Sequence, residues 1–170
     1  MFNSQPLVDA NVRADTYYVA RTHVRCWRCG GRTRLLALAL PRSHETLVAD
    51  DEEADEDHAA ETWQREGVNA FLFYVRRLPD SVRIRLNPLS SSFRYAYSAV
   101  TMDSYWANHC EHCTTLLDDH ELHCEPDVAF MPASEAAAAN IQLLEIAEPF
   151  AAAATGYAFD PEFFGCMPQS

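Results

Sequence analysis

The chain has 170 residues, of which 48% are apolar and 22% charged, and its formal net charge is −12. That composition excludes a polar disordered chain, because there is enough apolar surface to bury a core over a single domain spanning 1–170. No apolar run reaches the roughly 18 residues of a membrane helix, and the first ten residues hold neither a basic residue nor an apolar stretch, so no secretory signal and a cytoplasmic location are expected.

In chain order, residues 1–15 read as an arm or short strand. Thr16 to Arg25 is rich in Tyr, Val and Thr and reads as a strand running into Cys26. Gly30 and Gly31 supply a tight turn after Cys29, and Arg32 to Leu40 forms the returning strand, so a CxxC pair sits at the tip of a hairpin. An exposed acidic insertion is expected at about 42–58, because Asp50 to Asp57 places seven acids in eight positions and such a block repels itself. A weak helix is expected at 59–66. Val68 to Leu78 reads as a strand, with a short buried helix as the alternative. Pro79-Asp80 marks a turn, and the strict alternation of Val82-Arg83-Ile84-Arg85-Leu86 predicts a half-buried strand. Phe93 to Val100 is a further strand, and Leu116 to His123 the return strand of a second hairpin. Ser134 is a plausible N-cap for a C-terminal helix over Glu135 to Glu148, with Ala151 to Ala154 adding a turn. The aromatic tail from Tyr157 to Phe164 is expected to pack back onto the body.

Chemistry concentrates at the cysteines. Cys26/Cys29 and Cys110/Cys113 are two CxxC pairs. Each such turn offers two sulfurs on one side of a loop, which is half of a tetrahedral zinc site, so two pairs complete one structural zinc per chain. A redox pair, disulfides, or a mixed site using His109, His112 or His123 are the alternatives weighed. Cys124 and Cys166 are read as core residues or bystanders. The groups around the second pair, His109, Glu111, His112, Asp118, Asp119, His120, Glu121 and His123, could form a second metal or acid–base site, but are read as a solvated surface. Catalysis is not expected, since four thiolates leave no coordination position for water, and no nucleophile elbow, phosphate loop or HExxH motif is present.

Charge speaks to partners. All 13 basic side chains are Arg and precede residue 95, where they balance 13 acids. The 12 acids of residues 95–170 face no Arg at all. A protein partner, which the charge would allow to be basic, is therefore expected, and nucleic acid and anionic membranes are disfavoured. The resulting expectation is a zinc-binding, non-catalytic interaction module. The alternatives are an acidic immunity- or antitoxin-like protein that covers a basic toxin, a metal-dependent enzyme, and a nucleic-acid binder using Arg21, Arg25, Arg28, Arg32 and Arg34 around Trp27.

Tyr17-Tyr18-Val19-Ala20 leading into Cys26-Trp27-Arg28-Cys29, and Tyr105-Trp106-Ala107-Asn108-His109-Cys110-Glu111-His112-Cys113, resemble a group of uncharacterised bacterial proteins with a split zinc ribbon. In that group a C-W-x-C knuckle is followed, after a strand-rich insertion, by Y-x-A-N-x-C-x-x-C. The resemblance covers residues 17–40 and 95–131. It implies Cys26, Cys29, Cys110 and Cys113 as zinc ligands and implies no activity. Thr114 stands where the group tends to have glycine. From the residues alone, Asn108 could bond backbone near the knuckle and Trp106 could shield the sulfurs. The fold class expected is α+β, with zinc-ribbon-like β-hairpins, a strand-rich insertion and a C-terminal helix.

Overall fold

The computed structural model describes residues 9–49 and 61–170. Its strands are β1 (Val12–Ala14), β2 (Tyr17–Arg25), β3 (Arg32–Leu40), β4 (Glu45–Ala49), β5 (Glu61–Arg65), β6 (Ala70–Arg77), β7 (Phe93–Ser98), β8 (Asp103–His109), β9 (Leu116–Leu117), β10 (Gln142–Ile146) and β11 (Phe150–Phe159). Three short helices, α1 (Asp80–Leu86), α2 (Asp119–His123) and α3 (Glu135–Ala138), interrupt them, with a 3-10 turn at Phe164–Cys166. Eight strands form one sheet in the order β10-β2-β3-β6-β11-β1-β4-β5, and β7-β8-β9 form a second. Every paired strand is antiparallel. Among the described residues no helix is long and apolar enough to cross a membrane.

The near-continuous apolar run of β3 follows from burial on both faces. Leu36, Leu38 and Leu40 enter one cluster with Tyr17, Val19, Leu72 and the α1 residues Val82 and Leu86. Leu35, Ala37 and Ala39 enter another, with Phe71, Leu122, Phe130 and Ile141. Cys26 and Cys110 belong to this second cluster.

Six local expectations are corrected. The alternating segment 82–86 is helix α1, not a strand. Its buried residues are Val82 and Leu86, four apart, with Leu78 buried a turn earlier, while Ile84 is left 64% exposed. The stripe Leu78-Val82-Leu86 has helical spacing, and Pro79 at the N-cap blocks a strand pairing there. The expected C-terminal helix is a single turn. Ser134 does cap it, its Oγ accepting from the Ala137 amide at 3.1 Å. The turn ends at Asn140, whose Nδ2 donates to the Ala136 carbonyl. Residues 142–146 instead pair with β2, from Gln142 opposite Arg21 to Ile146 opposite Tyr17, because the β2 edge requires a partner and Leu143 is fully buried there.

Ala151 to Ala154 lie in β11 rather than in a helical turn. Small residues suit this strand because it runs under aromatics: a Cβ on Gly156 would sit 2.2 Å from the Phe73 ring. Within the expected acidic insertion, 45–49 is strand β4, paired with both β1 and β5. The Asp50 to Asp57 run lies outside the described residues. Of the described residues of the 59–66 segment, 61–65 form strand β5, not helix. Leu116 to His123 divides into the two-residue β9 and helix α2, which starts where Asp118 accepts from the His120 amide.

Candidate metal centre

Both CxxC segments are turns leaving long strands. Cys26 to Gly31 joins β2 to β3, and Cys110 to Thr115 joins β8 to β9. The two loops close with matching hydrogen bonds. The Cys26 amide donates to the Gly31 carbonyl and the Gly30 amide to the Cys26 carbonyl, at 2.9 and 2.8 Å. The Cys110 amide donates to the Thr115 carbonyl and the Thr114 amide to the Cys110 carbonyl, at 2.9 and 3.0 Å. Each loop also turns a backbone N–H onto a sulfur at 3.4 Å: Gly31 to Cys29 Sγ, and His112 to Cys110 Sγ. By their closing backbone bonds, residues 26–31 and 110–115 are two copies of one backbone device, 84 positions apart in numbering, while the sulfur contacts fall at different positions of the two loops.

The equivalent of Gly30 is Thr114. Both hold positive φ, 73° and 63°. Glycine is free there, whereas a β-branched residue costs on the order of 1–2 kcal/mol. Thr114→Gly is accordingly expected to stabilise the protein by up to about 1 kcal/mol after the added flexibility of the unfolded chain is subtracted. Gly30→Thr is expected to cost about 1–2 kcal/mol from backbone strain, since open space surrounds its Cβ position. Denaturant midpoints of the metal-loaded proteins test both, and a lower midpoint for Thr114→Gly would refute the equivalence.

The loops are brought face to face by side chains that bond across. The Glu111 amide donates to Thr33 Oγ1, and the Glu111 carboxylate accepts the Arg34 amide, at 2.9 and 3.0 Å. His112 Nε2 donates to the Arg32 carbonyl at 2.8 Å, its ring lying so close to Gly31 that a Cβ there would meet Cδ2 at 2.5 Å. Asn108 completes the join. Its Oδ1 accepts the Leu36 amide and its Nδ2 donates to the Leu36 carbonyl, both at 2.9 Å and buried, so one side chain occupies the edge of β3 as a strand would.

This docking gathers Cys26, Cys29, Cys110 and Cys113, whose sulfurs all lie within 4.8 Å of one another. Two separations run between the loops at 3.7 Å, from Cys26 to Cys113, and 3.6 Å, from Cys29 to Cys110. All four are unbridged thiols. Cys26 and Cys110 are buried, Cys113 half-buried and Cys29 exposed, so the group sits at a surface with one side in the core. The amides of Cys113 and His112 pull the Cys110 thiol down to about 6, against its burial. At Cys29 the Gly31 amide also pulls downward, but burial and the other three sulfurs outweigh it and lift the thiol to about 11. Four thiols this close cannot all ionise unaided, and a bound cation removes their mutual repulsion. The cluster can hold a metal ion.

The other candidate groups do not join it; among the described residues no second set of three or more potential ligands converges. His109 is buried with Nδ1 toward the carbonyls of Ala107 and Ser92, and burial, then Arg94, lowers its pKa. His120 and Glu121 are exposed on α2. Asp118, Asp119 and His123 are buried, which corrects the reading of this stretch as a solvated surface. Asp118 accepts from Ser98 Oγ and Tyr105 OH, and Asp119 accepts the Tyr74 amide at 2.8 Å. Tyr74 has φ 51°, a left-handed residue inside β6, and the Asp119 carboxylate takes the amide that this irregularity frees. No sequence signal marks that role. Trp106 does not cover the sulfurs; it packs on Phe93 and Tyr95 in the other cluster. Cys124 and Cys166 are exposed rather than core. Comparison with protein-family models, curated proteins and solved structures finds no match to this chain.

Proposed function

We propose that the protein is a zinc-stabilised, non-catalytic binding module in which one zinc ion, held by Cys26, Cys29, Cys110 and Cys113, locks two ribbon-like knuckles together. The spacing of the sulfurs carries this reading. Zinc–thiolate bonds of about 2.3 Å arranged as a tetrahedron put sulfurs about 3.8 Å apart. Two of the inter-loop separations are 3.7 and 3.6 Å, and all four sulfurs lie within 4.8 Å of one another. A disulfide would need about 2.05 Å. Four thiolates fill a tetrahedral shell, which favours a structural over a catalytic ion. A reducing compartment such as the cytoplasm keeps such thiols free for metal. Binding a partner is the function left to such a module, and the acid-rich sequence after residue 94 supports a basic protein as that partner.

Elemental analysis of protein purified without nickel affinity tests the metal. One zinc per chain is expected. Two metals per chain would bring the histidines into play, and a metal-free, fully folded protein would overturn the proposal.

A further inference from the structure

We infer that the outer half of the β2–β3 hairpin is a docking surface for single-stranded nucleic acid, with Trp27 as a stacking platform and four arginines as phosphate contacts. The observation is the register of the hairpin. His23 lies opposite Arg34, and Arg25 opposite Arg32. Residues two apart on a strand share a face, so three arginines and His23 occupy one face, with Arg25 and Arg32 a directly opposed like-charge pair. Toward the body of the sheet the same face is apolar and buried, through Val19, Leu36 and Leu38. It turns basic where it emerges. Like charges placed directly opposite destabilise a strand pair. A fold that needed only a hairpin would gain by alternating the signs.

The acid placed beside this face is Glu111, whose carboxylate accepts the Arg34 backbone amide rather than pairing with a guanidinium. Among the described residues the ion pairs involve Arg13, Arg76, Arg77, Arg83 and Arg85, and none of Arg25, Arg28, Arg32 or Arg34. Through their guanidinium groups Arg25 and Arg34 donate to the carbonyls of Gly30 and Leu89. All four arginines are exposed. At the tip between them Trp27 is 67% exposed. A large aromatic held out on a rigid turn beside arginines matches bases and phosphates presented together: stacking needs only an unpaired base, and the cations follow the backbone. A groove lined by His23, Arg25, Arg32 and Asn140 continues the surface away from the tip.

The net charge of −12 opposes approach from a distance. At physiological salt, however, fields fade within about 8 Å, so the local face decides contact. The inference rests on the hairpin geometry and needs the metal only to hold the knuckle in shape.

Fluorescence anisotropy of labelled oligo(dT) and oligo(U) with the full metal-loaded chain is the test, the two arms separating DNA from RNA. Binding is expected to weaken about sevenfold for each doubling of salt if four arginines neutralise phosphates. Arg25→Gln with Arg32→Gln is expected to weaken it at least tenfold and to flatten that salt dependence. Trp27→Ala is expected to weaken it about tenfold and to abolish quenching of tryptophan emission, while its melting curve and zinc content stay unchanged. No binding at low salt, equal binding by these variants, or full competition by polyglutamate would overturn the inference. Zinc measured on the same samples keeps this result separate from the metal assignment.

Discussion

Cys110→Ser is expected to abolish tight zinc binding and to remove most of the stability of the protein. Structural zinc contributes about 10–16 kcal/mol of apparent binding free energy near neutral pH, and whole domains are stable by only about 5–15 kcal/mol. The site joins positions far apart in the chain, Cys29 and Cys110 being 81 residues apart. Closing so long a loop is where a metal clip has most to contribute. The four positions should not behave alike. Serine at any of them is expected to weaken the proposed zinc, since one thiolate is lost. At Cys26 and Cys110, which are buried beside Leu35, Leu117 and Phe130, serine also leaves a hydroxyl among apolar side chains, at a cost of about 1–3 kcal/mol. At exposed Cys29 that second cost is absent. Melting curves with and without chelator separate the effects. The metal-free Cys29→Ser protein should match metal-free wild type, and metal-free Cys110→Ser should melt below it. A full zinc equivalent and an unchanged melt for Cys110→Ser would refute the site.

The cysteine spacing was legible because a CxxC turn is a local object, specified by four residues and the turn after them. The strands flanking the first pair were legible for a related reason: β2 and β3 are long, and their Tyr, Val and Leu content agrees with their pairing. Where local preference and tertiary demand diverge, the sequence misleads. Residues 135–148 carry an N-cap and alanines, yet β2 had an open edge, and Gln142 to Ile146 fill it. At 82–86 the period of two was genuine on paper, but the apolar positions that count, Leu78, Val82 and Leu86, are spaced by four. The partnership of Asn108 with Leu36 was foreseeable only in kind, because the identity of a backbone partner 72 residues away is a property of the docked loops. Asp119 was hidden more completely. An acid beside another acid reads as surface, and only the irregularity at Tyr74 gives it a reason to be inside.

That buried pair on α2 leads to the second large effect, opposite pH slopes on removing Asp119 or His123. Burial lifts the Asp119 carboxyl to about 7 although the Tyr74 amide pulls it down, and neighbouring Asp118 adds to the rise. Burial drives His123 down to about 3; its ring stacks on Phe130 and Phe73, and Nδ1 has no partner among the described residues. Both line one small cavity. In the unfolded chain the two groups titrate near 4 and 6.5. Asp119 is raised on folding, so it contributes stability at low pH that is lost as pH rises from about 4 to 7. His123 is lowered, so its contribution is present above about 6.5 and is lost as pH falls toward 3. Between these limits the unfolded chain holds its proton on the histidine and the folded protein holds one on the aspartate. The proton count is equal, and the pair adds no slope. Asp119→Asn exposes the histidine: relative to wild type, stability should fall as pH drops from 6.5 to 4, by about 3 kcal/mol in all. His123→Phe exposes the aspartate, and relative stability should fall by a similar amount as pH rises from 4 to 7. Denaturant midpoints taken as variant minus wild type at each pH remove the titration of the sulfur site, which is common to all three proteins. Two flat difference profiles would mean that neither group changes its proton affinity on folding.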